Sequence, residues 1–172
     1  MTFPDVADGS VCHTKRTPLK VGWLLRESVR QALAENRLTC GVYECAKLLK
    51  CRADNVMLCV LPEAGNANDV TVHIKHTLIE AFCWENDIKL LKVTSSGSLA
   101  NILQEKETAI SYDHNDNATP TPPRTSAGFD VSCVLVEYPK LDKSEEDDAI
   151  ADYYNTVLLG DVFPKPVIEL PE

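Results

Sequence analysis

His73 and His76 stand three residues apart, with Glu80 four beyond His76, a spacing at which one arc of a helix offers two imidazoles and a carboxylate to a metal. No CxxC pair and no HExxH accompanies them, and solvent-facing histidines far outnumber zinc sites, so no metal is expected. Seven cysteines (Cys12, Cys40, Cys45, Cys51, Cys59, Cys83, Cys133) and four histidines hold the parts of a Cys–His nucleophile. Cys45, Cys59 and Cys133 lie inside apolar segments, however, and a buried thiol is inert. A GxSxG turn, a Gly-rich phosphate loop and paired carboxylates at strand ends are all missing. A non-catalytic protein without cofactors is expected. An odd cysteine count without CxxC points to reduced thiols and a reducing compartment.

The elements that would position these residues fit one domain, since 172 residues suffice for one real core and not comfortably for two. Residues 1–16 are polar and patternless and read as a flexible tail; 17–172 read as the domain. The composition, 44% hydrophobic and 25% charged, is that of a globular protein, and the net charge is −9. That charge opposes non-specific phosphate binding and favours basic partners. MTFPDVADGS lacks the basic and apolar regions of a signal peptide, and no apolar run approaches membrane-spanning length. No membrane association is expected, and the nucleus and cytoplasm are the expected locations.

Thr17-Pro18 is a start signal for a helix running to about Asn36, with Val21, Leu25, Val29, Ala32 and Leu33 on one stripe. From Leu38 to Leu103 helix and strand alternate with almost no padding. A short strand at Leu38–Cys40 precedes a turn at Gly41 and a helix from Val42 to Lys50. VMLCVL, closed by Pro62, reads as a buried strand. Asp69 caps the longest helix, which ends near Asn86; Ile88–Val93 is a strand; SSGSLANIL opens a helix capped by Ser96 or Ser98. Residues 104–130, centred on TPTPPRTSAG, are expected to be a mobile insertion. VSCVLV reads as a strand, SEEDDAIADYYNTVLL as an acidic helix, and VIEL as a last short strand framed by prolines. This order implies an α/β/α sandwich.

The long helix offers the best binding surface. At about 100° per residue, Val70, Ile74, Leu78 and Ala81 fall on one flank and Val72, Ile79, Phe82 and Cys83 on the next, together covering roughly 220° of the circumference. A helix lying on a sheet at the surface needs about half of that. Burial from two sides within the domain is the plain explanation; the functional one is that the stripe Ile74, Leu78, Ala81 and Glu85 meets a partner. Glu44, Glu63, Asp69, Glu80 and Asp87 surround this helix as an acidic patch. The run Glu145-Glu146-Asp147-Asp148 has a simpler reason, since carboxylates favour a helix N-terminus.

LTCGVYECAKLLK, VMLCVLPE, IKHTLIEAFCWENDIKLLKV, SCVLV and PVIELPE together closely resemble the growth-arrest and DNA-damage-inducible stress proteins, the Gadd family, over Thr17 to Glu172 apart from the insertion. That family is similar to a branch of the ribosomal kink-turn-binding superfamily. The resemblance implies a mixed four- or five-stranded sheet between helices and a non-enzymatic adaptor that forms dimers. It further implies binding and activation of a MAP kinase kinase kinase upstream of JNK-type stress kinases. Cell-cycle and DNA-damage roles would run through the sliding clamp or cyclin-dependent kinase complexes. In the family the long helix is the self-association surface, which singles out Leu78 and Ala81. The family loop before it is densely acidic, whereas EAGNAND here holds only Glu63 and Asp69, so the patch is weaker.

The superfamily also binds RNA, through a Gly-x-Asn-Glu turn and a following lysine. Gly41, Glu44 and Lys47 match that turn and Tyr43 replaces the asparagine. Loss of a bidentate amide removes roughly 1–3 kcal/mol of base discrimination. Tyr43 keeps the ability to stack on an unpaired base. An RNA-binding module of the kink-turn type is thus the alternative, with RNA binding expected to be weak or absent.

Overall fold

The computed structural model describes residues 18–63, 69–110, 130–160 and 165–171. In chain order these form α1 (Pro18–Ala34), β1 (Leu38–Cys40), α2 (Val42–Arg52), β2 (Val56–Pro62), α3 (Val70–Glu85), β3 (Lys89–Val93), α4 (Ser96–Ile110), β4 (Val134–Glu137) and α5 (Glu145–Tyr153). The last helix continues into a wider π-type turn, Tyr154–Leu158. The strands make one mixed sheet in the order β1-β4-β2-β3, antiparallel about β4 and parallel between β2 and β3. Parallel pairing needs a crossover, and α3 supplies it.

Alternation along the strands sends successive residues to opposite faces. Leu58, Val60, Val134 and Val136 join the core under α1, α4 and α5. Cys59, Leu61, Cys133 and Leu135 join a second core under α2 and α3. The fold is therefore a three-layer α/β/α sandwich with four strands. Every residue of β2 is buried, as a central strand covered on both faces requires.

Local chemistry sets the ends. Asn36 and Asp87 adopt positive φ, 56° and 55°, at the ends of α1 and α3. In each case the next amide reaches back five residues, Arg37 N–H to Ala32 O at 2.8 Å and Ile88 N–H to Cys83 O at 2.9 Å. Short polar side chains tolerate that conformation, so Asp87 is explained by its turn. Ser95, not Ser96 or Ser98, caps α4, accepting from the N–H groups of Gly97 and Ser98 at 3.1 and 3.4 Å.

Three boundaries differ from expectation. The helix α4 runs on to Ile110, past the expected start of the insertion at Gln104, because QEKETAI is made mostly of good helix formers; residues 111–129 lie outside the described residues. Asp130 turns back to accept from Ser132 N–H at 3.1 Å, which holds Val131 and Ser132 off the ladder and delays β4 to Val134. VIEL forms one parallel bridge, Val93 to Ile168, rather than a strand. Flanking prolines cannot donate to a ladder, and the segment leans on α1 instead. There Gly22 leaves room for the carbonyl of Glu169, which lies 2.1 Å from where a Cβ would stand.

Candidate interaction surface

Asp69 opens α3 as its cap, with Oδ1 accepting from Val72 N–H at 3.2 Å. The helix lies on the sheet through Ile79 and Cys83, which are buried, while Val72 and Phe82 are half-buried beside them. The other flank faces water. Val70 and Leu78 are each 65% exposed and Ile74 55%, with Ala81 and Glu85 also exposed. Val70, His73, Ile74, Thr77 and Leu78 line a shallow groove along it. The expected stripe Ile74, Leu78, Ala81 and Glu85 is thus continuous and unpartnered within the described residues. Trp84, also exposed, lies about 80° around the wheel from Ile74 on the side of Val70 and borders the stripe, a position the sequence reading passed over.

His76 does not lie on the polar arc with His73. It is buried, with ring Nε2 2.8 Å from Ser132 O, while His73 is exposed and Glu80 pairs with Lys92 Nζ at 2.8 Å. Spacing explains the correction: His76, Ile79 and Cys83 recur at i, i+3 and i+7 and share the inward stripe. Among the described residues no three His, Cys, Asp or Glu side chains converge as metal ligands.

The carboxylates of the acidic patch are spread out. Asp69 and Asp87 flank opposite ends of α3, roughly 25 Å apart at 1.5 Å per residue. Glu80 is taken by Lys92, and Glu44 by Lys47 at 3.1 Å. Glu63 follows β2, donating its N–H to Val93 O at 2.8 Å, and precedes residues 64–68, which lie outside the described residues. A basic partner would find local charges here rather than one field.

Gly41 turns the chain into α2 with φ 91°, open to glycine alone, and its carbonyl accepts from Cys45 N–H at 2.9 Å. Tyr43, Glu44 and Lys47 all emerge from the first turns of α2, and Tyr43 is 70% exposed. Lys75 of α3 sits over the Tyr43 ring, 5.1 Å from its centroid. The carboxylate of Asp130 lies against Gly41, with Oδ2 3.1 Å from where a Cβ would be. A phosphate approaching this turn meets Asp130 and Glu44, and the one lysine of the motif is already paired.

Sequence reasoning missed a buried polar link on the opposite face. Asp147, read as part of an acidic run, accepts from Ser28 Oγ at 2.5 Å and faces Arg37 Nη2 at 3.6 Å. Arg37 also donates to Glu35 and, through Nη1, to Glu137 O at 2.8 Å. The pairs Ser28–Asp147 and Arg37–Asp147 are 119 and 110 positions apart in the chain, and no local pattern signals them.

A family model described as Ribosomal protein L7Ae/L30e/S12e/Gadd45 family matches residues 25–118. Growth arrest and DNA damage-inducible protein GADD45 alpha of Felis catus is 43% identical over 121 residues, 70% of this chain and 68% of that protein. The Homo sapiens GADD45 alpha protein is 42% identical with the same coverage. GADD45 beta of Bos taurus is 34% identical over 119 residues, 69% of this chain and 66% of its own length.

Proposed function

Because the chain belongs to the ribosomal protein L7Ae/L30e/S12e/Gadd45 family, we propose that it is a non-catalytic stress-response regulator whose working surface is the outward flank of α3. Its relatives make it a growth-arrest and DNA-damage stress protein. The finer reading is that it acts in the nucleus and cytoplasm, dimerises through Ile74, Leu78, Ala81 and Glu85, and activates a MAP kinase kinase kinase upstream of JNK-type kinases. Contacts with the sliding clamp or cyclin-dependent kinase complexes are a second adaptor role. Activation requires tighter binding to the open kinase than to the closed one.

The observation that carries this reading is the exposure of Val70, Ile74 and Leu78 in one row. Each leaves on the order of 100 Å² in water, so burying all three on two copies contributes roughly 15 kcal/mol before the cost of association. That cost is about 4–15 kcal/mol, which makes a dimer held by this row alone weak and reversible. Leu78→Glu is expected to give a folded monomer in analytical ultracentrifugation and to lose kinase activation in cells. An unchanged dimer, or a monomeric wild type, sinks the assignment.

A further inference from the structure

We propose that the seam between α1 and α5 is a docking groove for a basic amphipathic helix of a partner protein. The two helices lie on the sheet face opposite α3, so this surface is separate from the row around Leu78. A cavity of about 280 Å³ opens along the seam. Its floor is apolar: buried Val21 and half-buried Leu24 of α1 meet half-buried Ala149 and Tyr153 of α5. Past Glu146 a second hollow continues between Glu27 and Gln31, so the groove follows α1 from Lys20 for roughly 16 Å. Among the described residues only α1 and α5 line it. The seam is also preformed. Ser28 Oγ donates to Asp147 Oδ1 at 2.5 Å and Arg37 faces the same carboxylate, which fixes α5 against α1. A partner meeting a rigid seam is spared the free energy of ordering it.

Charge selects the occupant. Glu145, Glu146 and Asp152 stand on the rim, and none of them has an ion pair among the described residues. Lys20 is the only cation beside them, and Arg30 at the far end is paired with Glu27 at 3.1 Å. The dipole of α5 accounts for Glu145 and Glu146 in its first turn, but it gives no reason for Asp152 two turns later. Asp152 continues the line of Glu145 and Ala149 at i, i+4 and i+7, so carboxylates flank the apolar floor along its length. An amphipathic helix fits both features. Apolar side chains every third or fourth residue settle over Leu24, Ala149 and Tyr153, while Lys or Arg on the flanks reach the carboxylates. The small side chain of Ala149 lets the incoming backbone approach closely. An acidic helix would set like charges against the rim and is rejected.

The test titrates the full chain into a fluorescently labelled synthetic peptide of about 14 residues, long enough as a helix to span the groove. It carries leucines on one helical stripe and lysines beside them; one control replaces the lysines by glutamates and another the leucines by serines. Saturable binding of the first peptide alone is expected by fluorescence anisotropy. Asp152→Lys, and Ala149→Trp, which fills the seam, should each weaken it by about tenfold or more. Asp54→Lys changes the net charge equally at an exposed site beyond α2, and should stay within about twofold of wild type. Leu78→Glu should do the same, which separates this groove from the proposed dimer surface. In the isotope-labelled wild type, bound peptide should shift the amide resonances of α1 and α5. No saturable binding, a tenfold loss in Asp54→Lys or Leu78→Glu, or shifts confined to α2 and α3 overturns the proposal. The wild-type shift map decides even if a variant does not fold.

Discussion

Asp147 is 2% exposed, while Glu145 and Asp148 beside it reach solvent. All are carboxylates at one helix N-terminus and share the same dipole, so burial beside Arg37 and Ser28 is what separates them. Removing one partner of a buried ion pair leaves an uncompensated charge, at a cost of about 3–5 kcal/mol. Asp147→Ala should lower stability by that much in urea unfolding, and Asp148→Ala by under about 1 kcal/mol. Equal costs would mean that the pair with Arg37 contributes nothing. His76 makes the same point more mildly. Its spacing from His73 and Glu80 suggested a polar arc, and a buried contact with the Ser132 carbonyl accounts for it instead.

At the scale of the element, α3 has two apolar flanks and one sheet to lie on. Periodicity identifies both flanks but not which one the sheet takes. The structure assigns Ile79 and Cys83 to the sheet and leaves Ile74 and Leu78 in water. Adjacent residues of similar size therefore differ sharply in what truncation costs. Ile79→Ala should destabilise by about 2–5 kcal/mol through a cavity. Leu78→Ala should stay within about 0.5 kcal/mol in dilute monomer. Chemical unfolding of both variants checks this, and a reversed order would put the other flank on the sheet.

For the whole molecule, charge and the surroundings of Gly41 act together against RNA. The net charge is −9, Lys47 is paired with Glu44, and Asp130 lies against the turn. Filter binding with kink-turn RNA at low salt should show no more than non-specific affinity, roughly 10⁻⁴ to 10⁻⁶ M. Nanomolar binding would restore the alternative in which Tyr43 stacks on an unpaired base.

Element identity, the order of helices and strands, and the sandwich class were legible in the sequence, because hydrophobic period and caps such as Asp69 are local and act within a few residues. The turn at Gly41 and the apolar stripe on α3 were legible for the same reason. The tertiary structure alone decided the order β1-β4-β2-β3, the inward turn of His76 and the link from Asp147 to Arg37. Those contacts join residues far apart in the chain, and their free energy exists only once the layers have closed around them.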